Sequence, residues 1–350
     1  MLLFITTIAL LFGSSFSWGA LKASLFKCPT SPITPNLFGN GTIPTNATGP
    51  IRAPAGANCL ITFHVPDGYA LKVESKGMGV NGSDVFELID TVGKRYHSFN
   101  NKTNILWLTR GNSSLKIQSR NGTLSFFVKY QYQLLNQLAS KPVREGSHFT
   151  PKQGIIYNLV ASPNKKNLAI SIAHNPQNTT EPVGKDIYVY AGGYMLTATM
   201  IGRLADLMGN KDSFYTNGTA ISLVNFYETG KSEATIMVND ASAVANLTSY
   251  SVVTVDDKVS LRKTLLPGSA CTFVASKNFT LSLKSLSIST KNGSILLQEQ
   301  TPTQRLNRTS LNLKTKFPRK IATNTFTVYA VGGNVTLTVE KSKTQNSTKT

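Results

Sequence analysis

Four histidines (His64, His97, His148 and His174), three cysteines (Cys28, Cys59 and Cys271) and one Gly-x-Gly-x-x-Gly string are the places where chemistry would be sought first. The histidines lack His-Glu-x-x-His spacing, and no Cys-x-x-Cys accompanies them, so no zinc set is expected. Each histidine reads as a surface or turn residue, and His64 sits opposite the apolar Phe63 face of its strand. The glycine string is Gly77, Gly79 and Gly82. A dinucleotide site needs that string between a strand and a helix, where helix-end amides meet the pyrophosphate. Here "SDVFELI" follows with strand alternation, so the string reads as a β–β loop. No Gly-x-Ser-x-Gly elbow is present, and scattered Ser, His and Asp residues do not define a triad. The expectation is a protein with no catalytic residue, no metal and no cofactor.

The cysteines carry a different message. Cys28 and Cys59 flank a Pro/Gly/Asn/Thr-rich stretch and could close it. In an oxidising compartment such a bridge adds ~3–4 kcal/mol, chiefly by restricting the unfolded chain. Cys271 is left over, either as a buried thiol or as a link to another chain. Residues 1–19 begin with a short apolar run and end in small residues, the pattern of a secretory signal peptide. The run is too short to span a bilayer comfortably. Residues 344–350 read as a disordered basic tail.

Fourteen Asn-x-Ser/Thr signals point the same way: Asn40, Asn46, Asn81, Asn101, Asn112, Asn121, Asn178, Asn217, Asn246, Asn278, Asn292, Asn307, Asn334 and Asn346. Chance predicts roughly six at this composition. A secreted, extracellular glycoprotein is expected.

The formal charge is +19, unevenly spread. Residues 20–145 carry 14 Lys/Arg against 6 Asp/Glu, residues 146–246 carry 7 against 7, and residues 247–350 carry 15 against 4. Basic outer segments around a neutral middle suggest separate units attracted to anionic glycan, lipid or microbial surfaces. An exported glycoprotein is not expected to meet nucleic acid.

The elements that must position any site are strands. Alternation marks 60–65, 69–74, 85–89, 105–109, 115–118 and 124–132, then 154–160, 168–173, 187–190, 195–200, 220–227 and 234–238. A third series runs 251–255, 271–275, 279–288, 294–298, 310–314, 324–331 and 334–340. The stretch 58–75 reads as a hairpin about Pro66-Asp67-Gly68, and Arg110-Gly111-Asn112 as another turn. Residues 201–209 read as a turn or single helical coil, and 134–147 as a linker. Alternation assigns Phe126, Val128, Tyr130 and Tyr132 to the core, together with Trp107. The chain therefore predicts an all-β protein of two to three antiparallel β-sandwiches in tandem: 20–145, 146–246 and 247–343.

The first of these resembles a known family. "NC" leading a strand, then "VPDGYALKV", "DVFELIDTVG" and "NSSLKIQSRNGTLSFFVKYQY", is similar to the CUB-like domain of nematode secreted proteins and, more distantly, to the CUB domain. The likeness covers about residues 26–133. "DIYVYAGG" (186–193), "MIGRLADL" (200–207) and "TAISLVNFYETGKSEATIMV" (219–238) repeat the same order without cysteines. "SACTFVASKNFTLSLKSLSIS" (269–289) loosely echoes the opening segment.

The resemblance implies compact jelly-roll sandwiches used for extracellular recognition, without catalysis, in innate immune or stress responses. CUB domains that bind calcium use clustered Glu and Asp. Asp84 and Glu74 are the positions to test, although "KGMGVNG" departs from the acidic loop. Two other readings remain: an extracellular coat glycoprotein cross-linked through Cys271, and a hydrolase with an unrecognised site.

Overall fold

The computed structural model describes residues 26–343 apart from 36–38, 79–81, 98–102, 165–166, 174–183, 185, 196, 219, 227–233, 256–259, 276–278 and 305–307. The expected signal peptide and basic tail lie outside the described residues, as does His174. Along the chain, two compact units meet between Gln133 and Leu134. The all-β expectation holds: the few helical segments are single turns.

The first unit contains β1 (Asn40–Ile43), β2 (Ile51–Arg52), β3 (Ala57–Met78), β4 (Val85–Ile89), β5 (Arg95–His97), β6 (Asn104–Ser119) and β7 (Ser125–Leu134). They follow the order β1-β7-β3-β6-β4-β5, with β2 beside β7. The expected hairpin at 58–75 is absent. Both its halves belong to β3, and both pair with β6: Asn58 to Val65 against Gln118 to Gly111, then Ala70 to Ser75 against Thr109 to Asn104. Residues 66–69 are an extra loop of chain at a bulge, opposed only by Arg110.

The same residue types serve a corner as well as a reversal, which is why the turn signal misled. Pro66 has no amide to offer the ladder, and Gly68 (φ 76°) and Gly111 (φ 115°) accept left-handed backbone. Before the bulge burial alternates, with Ile61, Phe63 and Val65 inside and Leu60 and His64 exposed; beyond it Ala70, Leu71, Lys72 and Val73 are all buried. The Tyr132 hydroxyl donates to the carbonyls of Ile33 (2.7 Å) and His64 (3.1 Å), beside the parallel bridge between Ile33 and Phe63. Cys28 and Cys59 form a disulfide across 31 residues.

The second unit holds two sandwiches. One comprises β8 (Ala139–Arg144), β9 (Ser147–Phe149), β10 (Ile155–Val160), β11 (Leu168–Ala173), β12 (Ile187–Ala191), β13 (Thr199–Arg203), α1 (Leu204–Met208), β14 (Phe214–Tyr215), β15 (Ala220–Asn225) and β16 (Thr235–Asp240). After α2 (Ala241–Val244) the other comprises β17 (Tyr250–Thr254), β18 (Leu261–Leu265), β19 (Ala270–Val274), β20 (Phe279–Ile288), β21 (Ser294–Gln298), β22 (Arg308–Leu311), β23 (Arg319–Ile321), β24 (Thr325–Val331) and β25 (Val335–Lys343). Their sheets are β13-β12-β15-β10-β8 with β14-β11-β16-β9, and β22-β21-β24-β19-β17 with β23-β20-β25-β18. The two orders are the same, strand for strand. Each includes one parallel edge pair, β8 with β10 and β17 with β19, in otherwise antiparallel sheets.

The first unit repeats this plan with strands fused. β3 does the work of β10 and β11, and β6 that of β14 and β15. The Ile33 bridge stands where β8 would, and β1 and β5 stand for β9 and β13. The segment 269–289 forms β19 and β20, the counterparts of the two halves of β3.

Residues 134–147, expected as a linker, instead hold the edge strand β8. Its sequence, "ASKPVR", is polar and contains Pro142, features that edge strands tolerate and that erase the alternation signal. The strand expected at 195–200 falls at 199–203, running straight into α1.

Within the second unit, Leu159, Val189 and Leu223 pack against Ile170, Ile236 and Val238 in one sandwich, and Phe273, Leu297 and Val328 against Leu283, Val335 and Leu337 in the other. A third apolar cluster joins them: Ala169, Ala173 and Met237 from one, Tyr250, Val252, Ala270 and Val274 from the other. A buried polar chain crosses the same junction. Asn239 donates to the Tyr250 hydroxyl (3.0 Å), which bonds the Thr272 hydroxyl (2.8 Å), which bonds that of Thr327 (2.9 Å). Removing the central hydroxyl strands the Asn239 amide away from water. Tyr250→Phe should therefore cost about 1–3 kcal/mol, measured as a lowered urea midpoint for the second unit.

Candidate binding surface

The first unit's carboxylates are the natural candidates for a cation site, and the fold uses each of them locally. Asp84 accepts from the Arg120 amide (2.9 Å) and the Thr123 hydroxyl (2.9 Å), fixing the turn after β6. Asp90 accepts from the Val92 and Lys94 amides (3.0 and 2.8 Å) and the Tyr96 hydroxyl (3.1 Å), fixing the turn between β4 and β5. Glu87, almost wholly buried, meets Arg95 at 3.0 Å and His97 at 3.6 Å. Glu74 pairs with Lys72 along the same strand face at 2.5 Å. Among the described residues no three His, Cys, Asp or Glu side chains are grouped to hold a metal ion, and Asp84 and Glu74 each have the separate local partners given above.

The histidines are likewise dispersed. His64 is exposed and bonded to the Asn112 side chain at 2.9 Å, and His97 lies at the edge on β5. His148 differs from expectation. It is half-buried on β9, with its Nδ1 3.4 Å from the Thr325 hydroxyl. Of the fourteen signal asparagines, Asn40, Asn46, Asn112, Asn121, Asn217, Asn246, Asn292 and Asn334 are described, and all are exposed. The other six, Asn81, Asn101, Asn178, Asn278, Asn307 and Asn346, lie outside the described residues.

The most distinctive surface is the outer face of the sheet β23-β20-β25-β18. Its inner face, Leu265–Val335–Ile288 and Val339–Leu283, is core. Period two then turns the intervening residues outward. Register places them in rows: Thr264–Thr336–Ser287, Arg262–Thr338–Ser285 and Glu340–Ser282–Lys320, of which Ser282 is buried with its hydroxyl donating to the Arg319 carbonyl. Hydroxyls thus repeat on a lattice of about 4.8 Å between strands and about 6.8 Å along them.

Glu340 is neutralised locally. Lys284, in the β20 bulge, contacts it at 2.7 Å, and the Ser260 hydroxyl donates to its other oxygen. The Lys284 interaction holds its carboxyl below the usual range. Arg262 and Lys320 are exposed and make no ion pair with described residues. Exposed Lys314 and Lys316 lead into the same edge strand, β23. The result is a hydroxyl-rich face with a cationic excess. Alternation alone could not reveal it, because which strands share a sheet is a tertiary fact.

Residues 23–136 match the family model of the CUB-like domain. That stretch spans the first unit, so the similarity to the CUB-like domain lies in the first unit and not in the second. No curated protein matches the chain. Similar solved structures include the CUB1-EGF-CUB2 domain of human MASP-1/3, at TM-score 0.23 and 10% identity over 57% of this chain and 99% of that one. The CUB1-EGF-CUB2 domains of rat MASP-1 give TM-score 0.24 and 8% identity over 60% and 100%. The full extracellular region of zebrafish Gpr126/Adgrg6 gives TM-score 0.25 and 11% identity over 91% and 53%. Scores this low leave these likenesses without weight for function. No described helix is long and apolar enough to cross a membrane.

Cys271 is fully buried within the last sandwich core, so in this fold it cannot reach another chain. Burial pushes its thiol up to about 11. Because the folded value lies above that of the unfolded chain, this contribution to stability is intact at neutral pH and is lost as pH rises through about 11. At pH 7 a thiol reagent should titrate no cysteine in the native protein and one after denaturation without reductant. A reactive native thiol would contradict this burial.

Proposed function

We propose that this chain is a secreted, glycosylated, non-catalytic binding protein that recognises anionic glycan on microbial or host surfaces, in innate immune or stress responses. The observation that carries the reading is the cationic, hydroxyl-rich face built by β18, β20, β23 and β25. There Arg262, Lys284 and Lys320 stand against the single carboxylate of Glu340. Hydroxyls that donate and accept, beside fixed cations, suit the sulfate, phosphate or carboxylate groups of an acidic polysaccharide. Edge lysines also discourage strand-to-strand aggregation, but that role accounts for Lys320 and not for the hydroxyl rows further in. The Cys28–Cys59 disulfide, the CUB-like match and the exposed signal asparagines support an extracellular setting. The coat-glycoprotein alternative loses its cross-link with the burial of Cys271.

The test is retention of the secreted protein on a sulfated-polysaccharide resin and on anionic vesicles at low and high salt. Retention on the polysaccharide should fall steeply as salt screens the charges. The double variant Arg262→Glu/Lys320→Glu should bind about tenfold more weakly, since it reverses two charges worth a few tenths of a kcal/mol to about 1 kcal/mol each. Salt-insensitive retention, or none, defeats the charge argument. Retention on vesicles alone would redirect it from glycan to lipid.

A further inference from the structure

At the rim of the junction inside the second unit lies an open cleft of about 630 Å³. Its size falls in the ordinary range of small-molecule sites, and domain junctions are where such sites gather. Its composition is unusual for that range. Nine of its twelve lining residues carry a hydroxyl, amide or imidazole, and none is a lysine, arginine or carboxylate. We propose that this cleft is a binding site for a neutral saccharide, separate from the basic face and independent of the reading given for it.

The geometry separates side chains that build the cleft from those left over to bind. The Thr301 hydroxyl is committed to the Gly146 carbonyl (3.3 Å), and the Asn324 amide donates to the Ala275 carbonyl (3.4 Å). In contrast, the side-chain amides of Gln300 and Gln304 and the hydroxyl of Ser147 make no hydrogen bond with described residues. Each of these groups can donate and accept. A sugar hydroxyl does the same, which an anion and an apolar ligand do not. Phe279 adds an apolar wall, while the Lys341 ammonium lies over its ring at 3.7 Å.

The backbone of the turn that carries Gln304 is held from beneath. The side-chain amide of Gln298, with no exposed surface, donates to the backbone carbonyls of Thr301 and of Gln304 (2.9 Å), and the Gln304 backbone N–H donates to the Thr301 carbonyl (3.1 Å). The Arg308 Nε and the Tyr329 hydroxyl donate to the Gln298 side-chain Oε1 at 3.0 and 3.3 Å, locking that prop. Gly146, at φ 78°, leaves room for the Gln304 side chain. A Cβ there would sit 2.9 Å from Gln304 Cγ. Gln300 keeps φ at 133°, a strained value for a residue with a side chain, while its carbonyl accepts from the Thr327 hydroxyl at 2.8 Å. A rigid turn presenting two uncommitted amides lowers the entropy cost of binding.

The test is saturation-transfer NMR on the intact protein. The probes are glucose, galactose, mannose, N-acetylglucosamine and their β-linked disaccharides. At least one should receive transfer, unchanged between low and high salt because no ionic contact is involved. Ser147→Ala/Gln304→Ala should weaken that binding about tenfold through lost hydrogen bonds. Gln304→Trp, which fills the cleft from an exposed position, should abolish it. Both variants should keep the salt-sensitive polysaccharide retention, and Arg262→Glu/Lys320→Glu should keep the saccharide signal, so either reading can fail without the other. No transfer from any probe, or transfer undiminished in both cleft variants, would overturn the proposal.

Discussion

The fold depends on carrying the chain from one sheet to the next without leaving backbone amides unpaired. In the first unit β3 and β6 turn this corner together, and the ladder between them resumes at Ala70 and Thr109 after breaking at Val65 and Gly111. Pro66, Gly68 and Gly111 make the bend possible: one lacks the donor that the bulge would strand, and the other two take backbone angles that a side chain resists. In the second unit the same passage is made by separate strands, β10 to β11 and β14 to β15. The nine-strand order survives either solution, because inter-sheet packing needs only that each strand present its apolar face inward.

That tolerance frees the outer faces. In the second unit, one outer face of each sandwich is spent on the junction between them, where Met237 and Ala169 meet Tyr250 and Val274. Burying so much apolar surface would leave the hydroxyls of Tyr250, Thr272 and Thr327 without water, so they bond one another in a chain ending on the Gln300 carbonyl. The junction thereby fixes the turn that borders the cleft. The far sheet of the last sandwich has no such duty within that junction, and its outward positions carry Thr, Ser, Arg and Lys.

Charge is divided along similar lines. Asp84, Glu87 and Asp90 are consumed by the turns and strand edges of the first unit, where buried carboxylates need amide, hydroxyl or guanidinium partners. On the last sandwich Glu340 is already matched by Lys284, so the cations around it remain available to a partner. A net formal charge does not by itself locate a binding face. The distinction between committed and uncommitted charge does.

What the sequence determined by itself was local. The strand-like runs placed β4, β11, β20 and β21 to the residue: a strand with one buried face repeats every second position, and β11, buried at all six positions, shows instead as a short apolar run. Cysteine spacing named the disulfide partners, and the landmarks of residues 26–133 pointed to the CUB-like family. Alternation was silent for β8 and β23, since short polar edge strands bury too little to need a pattern. It was ambiguous at Pro66, because a corner and a hairpin demand the same residues. Which strands pair, and hence which hydroxyls and cations share a face and which amides border the junction cleft, was decided by tertiary structure. Those groups come from segments far apart in the chain, and only the packing of apolar faces fixes their register.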